Sequence, residues 1–151
     1  GLPPLIALAR NGTYAQKQYA AGALAGIAIN AANQVEIVRE GGIAPLIALI
    51  HSGTDEQKEE AAGALASLAN KNIDNQVAIE KEGAVVPLIE LVRSGTDRQK
   101  EEAAGALGIL AGWHDNRIAI AREGGIAALV ALANLGTPAQ KQRAAAALQI
   151  S

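Results

Sequence analysis

The stretch that decides the fold is SGTDEQKEEAAGALASLA at residues 52–69, which returns almost unchanged as SGTDRQKEEAAGALGILA at residues 94–111. The Gly-Thr pair near its start occurs four times, at Gly12-Thr13, Gly53-Thr54, Gly95-Thr96 and Gly136-Thr137. These pairs are 41, 42 and 41 residues apart. Internal repeats with periods of roughly 20–50 residues are typical of solenoids, in which each unit buries its apolar face against the next.

The repeated stretch predicts a long amphipathic helix that ends at Ala69. Thr54 is a good N-cap, and Gln57 three residues later completes a capping box. The same Thr-x-x-Gln spacing is found at Thr13/Gln16, Thr96/Gln99 and Thr137/Gln140. Apolar residues then follow at helical spacing and give the helix one apolar face: Ala61, Ala62, Leu65, Leu68 and Ala69.

Two shorter helices complete each repeat. PLIALI after Pro45 is apolar nearly all round, which predicts a buried helix. NQVEIVRE at residues 33–40 predicts a helix that begins at Asn33, with Glu36 as capping-box partner, and ends at Gly41-Gly42. The chain is therefore expected to be all-α, with eleven helices in one array over residues 1–151. The expected repeats are 1–32 (partial), 33–74, 75–115 and 116–151 (partial).

Composition narrows the class of function. Half of the residues are hydrophobic, but Phe, Met and Cys are absent, so the core must be built from Ala, Leu, Ile and Val. A net charge of -2 gives no electrostatic reason to bind nucleic acid or an anionic membrane. The absence of Cys fits a reducing, intracellular location in the cytoplasm or nucleus. No apolar run approaches the ~20 residues of a membrane helix. The first residue, Gly1, points to a processed or engineered chain or a fragment.

Period, helix number and glycine positions together resemble the armadillo-repeat family of the importin-alpha and beta-catenin type. Residues 33–69 and their cognates carry this resemblance, which extends over the whole chain. HEAT repeats have a similar period but only two helices. The resemblance implies a right-handed superhelix of about 3.5–4 three-helix repeats whose third helices line a concave, peptide-binding groove.

The resemblance also implies which residues line the groove, and here the chain departs from the importin-alpha-like pattern. In the importin-alpha-like pattern, the third helix carries a Trp that forms side pockets and an Asn that hydrogen-bonds to the peptide backbone. In this chain, small or apolar residues occupy the positions of both the repeated Trp and the repeated Asn (the Trp and Asn ladders). The function of a nuclear-signal receptor is therefore not expected of this chain. The candidate groove residues are Gln18, Gly22, Gly26, Glu59, Gly63, Ser67, Glu101, Gly105, Ile109, Gln142 and Ala146.

The glycines inside the third helices leave three interpretations open, because Gly costs roughly 1 kcal/mol against Ala in a helix interior. Duplication could have copied a tolerated residue. The glycines could let helices or a bound backbone approach closely, or make a smooth floor for a bulky partner side chain. Glu59 and Glu101, with Glu60 and Glu102 beside them, suggest a groove that prefers basic or amide-rich peptides, although a solvated helix face is the simpler explanation.

Two aromatic residues are candidate contacts at the groove rim. Tyr19 is expected at the groove edge, and Trp113 in the loop with His114 after the third long helix. Trp113 either contacts a partner or packs over a helix end. Two isolated histidines without Cys do not make a metal site, and no catalytic motif is found, so we predict neither cofactor nor enzyme.

The predicted function is a scaffold that binds an extended peptide or a protein partner. The alternative is a self-associating or consensus-designed repeat module without a natural ligand. Apolar helices at both ends of the chain suggest either a longer array or homo-association.

Overall fold

The computed structural model describes residues 2–150, with side chains for residues 2–149, and within these bounds the chain forms eleven helices and no strand. The helices are α1 (Leu2–Asn11), α2 (Tyr14–Ile27), α3 (Ala31–Arg39), α4 (Ile43–Ser52), α5 (Asp55–Ala69), α6 (Ile73–Lys81), α7 (Val85–Ser94), α8 (Asp97–Leu110), α9 (His114–Arg122), α10 (Gly125–Leu135) and α11 (Pro138–Ile150). The predicted all-α class is confirmed.

The helices stack in three rows that run along the array. The first-helix row is α3, α6 and α9, the second-helix row is α1, α4, α7 and α10, and the third-helix row is α2, α5, α8 and α11. Each third helix packs against the third helix of the next repeat and against the second helix of its own repeat. Every repeat therefore depends on its neighbour to cover its apolar side, as expected of a solenoid.

The core is one continuous cluster of small aliphatic side chains. It includes Leu24, Leu65 and Leu107 at matching positions of α2, α5 and α8, each essentially inaccessible to water. Alanines such as Ala62 and Ala104 are fully buried beside them. Because an alanine methyl leaves little bulk between helices, the third helices can approach closely.

The predicted capping boxes are confirmed. At the start of α5, Gln57 N–H donates to Thr54 Oγ1 (3.2 Å), and Thr54 N–H donates to Gln57 Oε1 (2.9 Å). The same reciprocal pair opens the other three third helices, at Thr13/Gln16, Thr96/Gln99 and Thr137/Gln140. The starts of these helices were therefore readable from the sequence.

The capping glutamines also join successive repeats, which the sequence did not reveal. Gln57 Nε2 donates to Tyr14 O of the preceding repeat at 2.9 Å. Gln99 Nε2 donates to Asp55 O and Oδ1 (3.2 and 3.1 Å), and Gln140 repeats these contacts on Asp97. The three side chains are buried, whereas Gln16 is exposed. Each buried glutamine thus uses its oxygen for its own helix and its nitrogen for its neighbour.

The predicted start of the short helix at Asn33 is wrong. The N-cap is Asn30, whose Oδ1 accepts from the N–H groups of Ala32 and Asn33. Glu36 forms an ion pair with Arg39 instead of closing a capping box. Asn33 lies inside the helix, and its Nδ2 donates to Ile27 O at 3.1 Å.

The asparagine inside the short helix recurs as a buried tie between helices. Asn75 Nδ2 donates to Leu68 O at 2.8 Å. Asn116 Nδ2 donates to Leu110 O and to Gln76 O of the preceding repeat, at 2.9 and 3.0 Å. The conspicuous Asn of the repeat therefore anchors the helix and does not start it, because carbonyls at the end of the preceding third helix lack helical partners.

Left-handed residues end the short helices and absorb the one-residue insertion. Gly41 has φ +81°, and the following Gly42 N–H reaches back to Ile37 O (2.9 Å), as in a Schellman motif. The extra residue that makes the second interval between Gly-Thr pairs 42 residues long lies in the turn after α5, where Lys71 has φ +56°. Lys71 is the one non-glycine residue with positive φ in the part of the chain that the structure describes.

Replacing Gln99 by Ala is expected to lower the free energy of unfolding by about 1–3 kcal/mol more than replacing Gln16 by Ala. Both variants lose a capping box, but only Gln99→Ala also removes the bond to the preceding repeat and leaves Asp55 O without that donor. Urea unfolding followed by circular dichroism measures the difference. Equal losses in the two variants would mean that the cross-repeat bond adds nothing.

Candidate functional site

The candidate groove residues form three rows across the third helices. The first row is Gln18, Glu59, Glu101 and Gln142; the second is Gly22, Gly63, Gly105 and Ala146; the third is Gly26, Ser67 and Ile109. All are exposed or half-buried, in contrast to the buried core positions beside them. We call this surface of α2, α5, α8 and α11 the third-helix face.

The space over one glycine in each of α2, α5 and α8 (Gly22, Gly63 and Gly105) holds a charged side chain of the next repeat. A Cβ on Gly22 would lie 3.0 Å from Glu60 Oε2, and a Cβ on Gly63 would lie 3.2 Å from Glu102 Oε2. At Gly105 the neighbour is the guanidinium of Arg143. The glycines therefore give room to the ends of long side chains, and the interpretation of a smooth, empty floor does not hold at these positions.

Close approach of helices occurs at a different glycine, which the sequence analysis did not single out. A Cβ on Gly108 would meet Ala147 Cβ at 3.3 Å and Ala147 Cα at 3.4 Å. The corresponding residues of α2 and α5 are Ala25 and Ala66. In the sequence, only the change from Ala to Gly at this position of α8 pointed to a close helix contact. Whether the contact exists depends on how near α11 lies, which the sequence does not show.

Two arginines partly neutralise the acidic residues of the third-helix face. Arg98 Nε donates to Glu102 Oε1 at 3.2 Å, and an Arg143 nitrogen lies 3.7 Å from Glu101 Oε1. Neither arginine was among the candidate residues, although Arg98 replaces Glu56 in the otherwise conserved DEQKEE stretch. Four carboxylates and two guanidinium groups leave the centre of the face acidic, with Glu59 and Glu60 outside the ion pairs.

Glu59 is the carboxylate whose ionisation the fold disturbs. Partial burial raises its pKa, Arg98 opposes this, and Glu56 and Glu60 add to the rise. The hydrogen bond to Glu102 raises the pKa of Arg98, so this guanidinium stays charged. Because desolvation and like charge both disfavour ionised Glu59, a cation placed beside it would relieve an existing cost.

The rim residues lie at opposite ends of the array. Tyr19 is 70% exposed and borders a depression with Gln18, Gly22 and Glu60. Trp113 is half-buried and is the N-cap of α9, with no side-chain capping bond, and His114 is the first residue of that helix. The prediction that His114 lies in a loop is wrong, because α9 begins at His114.

A mostly apolar cavity of about 380 Å³ opens on the third-helix face between α8 and α11. Its walls include Gly105, Ile109 and Ala146 of the candidate rows, together with Gly108 and Gly112. The turn at Asn70 and Lys71, which contains the insertion, forms another wall. A second depression, over Gly63 and Ser67, is lined mainly by charged groups, including Glu59, Glu60, Arg98 and Glu102.

The described residues also bear on metal binding and on membrane crossing. Residues 2–150 contain no group of three or more His, Asp or Glu that could hold a metal ion. No single described helix is long and apolar enough to cross a membrane; α9 and α10 pass that test only as a pair by length and composition, and they meet at 82°.

Comparison with known proteins gives similarities in both sequence and structure. Residues 30–70 match the armadillo/beta-catenin-like repeat family. The sequence matches none of the curated proteins.

An engineered protein solved by a structural genomics consortium superposes with a TM-score of 0.95 at 32% identity, over 99% of this chain and 61% of its own. A designed armadillo repeat protein in complex with the peptide (KR)4 superposes with a TM-score of 0.90 at 25% identity, over 99% of this chain and 63% of its own. A computationally designed armadillo protein for modular peptide recognition, 24% identical, shares the fold with a TM-score of 0.92. The chain spans less than two thirds of the length of these proteins.

Replacing Gly63 by Ala is expected to raise the free energy of unfolding by about 0.5–1 kcal/mol, because Ala is the better helix former and the Glu102 carboxylate can swing aside. Gly108→Ala has the same intrinsic helix gain but meets the backbone of α11, so it is expected to gain less or to destabilise. Thermal and urea unfolding of both variants measure the effects. A larger gain for Gly108→Ala would contradict this packing.

Proposed function

Because the chain is an armadillo-type repeat protein, we propose that it binds an extended peptide with basic side chains along the third-helix face. The armadillo fold is typically a non-catalytic scaffold, so binding is the function to expect of it. The observation that carries the proposal is the half-buried, acidic centre of this face at Glu59, Glu60, Glu101 and Glu102.

The arrangement of the rows supports an extended ligand. Matching residues of α2, α5, α8 and α11 succeed one another along the array, so a peptide lying across the third helices would meet one repeat after another. The importin-like Trp and Asn ladders are replaced by Gly22, Gly63, Gly105 and Ala146 in one row and by Gly26, Ser67 and Ile109 in the other. Charge would therefore contribute more to peptide recognition here than in the importin-like pattern, and hydrogen bonds from Asn to the peptide backbone would contribute nothing.

A related protein makes basic peptides the first choice of probe. The designed armadillo protein that is 25% identical to this chain was solved with (KR)4. Two carboxylates, Glu59 and Glu60, lie outside the ion pairs that Arg98 and Arg143 make on the same face. A cationic side chain beside Glu59 would offset the desolvation that raises the pKa of its carboxyl.

Engineered neighbours favour a second candidate, a structural repeat module without a natural ligand. The three similar structures described above are engineered or designed proteins, and the two central repeats of this chain are nearly identical. The two candidate functions predict different results with a basic peptide, since only the first predicts binding. Light scattering over a concentration series tests homo-association separately, since a monomer at all concentrations excludes it.

Fluorescence anisotropy with labelled (KR)4 tests the proposed function, with the reversed-charge peptide (ED)4 as control. Glu59→Gln is expected to weaken (KR)4 binding by about twofold to fivefold, the range for one partly exposed ion pair. Glu90→Gln, on α7 of the second-helix row, removes the same charge away from the face and is expected to have no effect. Equal binding of (KR)4 and (ED)4, or no binding, would contradict the proposal.

Binding of (KR)4 is expected to weaken as pH falls, because protonated Glu59 no longer attracts a cation. Since burial raises the pKa of Glu59 above its ordinary 4.5, this loss should begin at a higher pH than for an exposed glutamate. Titrating binding between about pH 4 and pH 8 checks it. The affinities of wild type and Glu59→Gln should converge at the acid end, and a constant ratio would exclude Glu59 as the titrating group.

A further inference from the structure

The cavity between α8 and α11 contains a buried hydrogen-bond acceptor that nothing in the described chain satisfies. Gln76 is only 5% exposed, and its Nε2 donates to Ala69 O at 3.0 Å, which fixes which end of the amide is oxygen. Its Oε1 has no partner among residues 2–149. Gln76 lines the cavity. A buried acceptor without a donor costs free energy, so a ligand that supplies the donor gains more than an ordinary exposed contact provides.

The preceding repeat shows how this acceptor is normally satisfied. The equivalent Gln34 donates to Ser67 O and Asn70 O, and its Oε1 accepts from Asn72 Nδ2 at 3.4 Å. Asn72 is the N-cap of α6, and the residue at the same place before α9 is Trp113. The change from Asn to Trp removes the amide donor, so only the later repeat has an open acceptor.

Three glycines leave the wall of the cavity beside the acceptor without side chains. Gly105, Gly108 and Gly112 follow one another along one side of α8 and its end, and a Cβ on Gly112 would lie only 3.0 Å from Gln76 Oε1. The equivalent stretch of α5 carries Gly63, Ala66 and Asn70. The cavity volume of about 380 Å³ and its mainly apolar walls suit a large side chain.

The charges around the cavity select among donors. Lys71 and Arg143 both border it, so a lysine or arginine side chain would be repelled there. A neutral O–H or N–H on an aromatic ring satisfies the acceptor without that repulsion, and the ring faces would attract the nearby cations.

We propose that this cavity binds a tyrosine or tryptophan side chain of the bound peptide, with its O–H or N–H donating to Gln76 Oε1. The inference rests on the proposed function, because the cavity opens on the third-helix face. It adds to a basic peptide a specific aromatic position at the α8–α11 end of the array.

The test is a set of labelled (KR)4 peptides in which each position in turn is replaced by Tyr, Phe or Leu. One Tyr position is expected to bind about threefold to tenfold more tightly than Phe at the same position, the gain from one hydrogen bond to a buried acceptor. Phe in turn should exceed Leu through its contact with Arg143.

Two variants and one matched control locate the effect. Ala146→Leu fills the cavity from its exposed rim and is expected to remove the preference for Tyr over Phe, measured as the ratio of the two affinities within the variant. Ala145→Leu is the matched control, because Ala145 is exposed on the same helix but does not line the cavity. Gln76→Met keeps the size of the side chain and removes the acceptor, so it should make Tyr and Phe peptides equal.

The outcomes separate the two proposals. If (KR)4 binds but no Tyr position exceeds Phe, or Ala146→Leu acts no differently from Ala145→Leu, the aromatic site is wrong and the basic groove stands. If (KR)4 does not bind while a Tyr peptide binds and is sensitive to Ala146→Leu, the preference for basic peptides is wrong and the cavity stands. If no peptide of the set binds, both are overturned.

Discussion

The whole structure depends on the contact between successive third helices. Each repeat has too few large side chains to form a core of its own, and its alanines and leucines are buried only because the next repeat lies against them. The buried glutamines fix the distance and register of this contact, since Gln57, Gln99 and Gln140 each tie a helix start to the repeat before it. Apolar burial drives the stacking, and the amides make it specific.

The same contact shapes the surface available to a partner. Because the third helices lie close together, a long side chain on one helix reaches over the glycine of the preceding one, as Glu60 does at Gly22. Charge on this face is therefore shared between repeats, and one substitution, Arg98 for Glu56, changes the balance for two neighbours. The result is an acidic centre beside an apolar cavity, within one series of nearly identical units.

Differences between nearly identical repeats carry most of the functional information. Glycine at 108 in place of alanine and the inserted residue near Lys71 meet at a single cavity. Trp113 in place of asparagine leaves the Gln76 side-chain oxygen of this cavity's lining without a donor. Each change looks minor in the sequence, and only Trp113 was singled out there, as a candidate rim contact. Their combined effect appears only when α11 and the turn after α5 are in place, because these elements form the opposite walls.

The sequence by itself determined the number of helices, their order, the Thr-x-x-Gln helix starts and the armadillo-type stacking, because capping and helical periodicity are local and repeat at a constant interval. The prediction that the short helix starts at Asn33 was wrong, because Asn30 is also an asparagine able to cap a helix and lies three residues earlier. Only the tertiary structure decided that the capping glutamines join repeats, that charged groups cover the glycines and that Gln76 lacks a donor. These depend on distances between residues about forty positions apart, which no local pattern encodes.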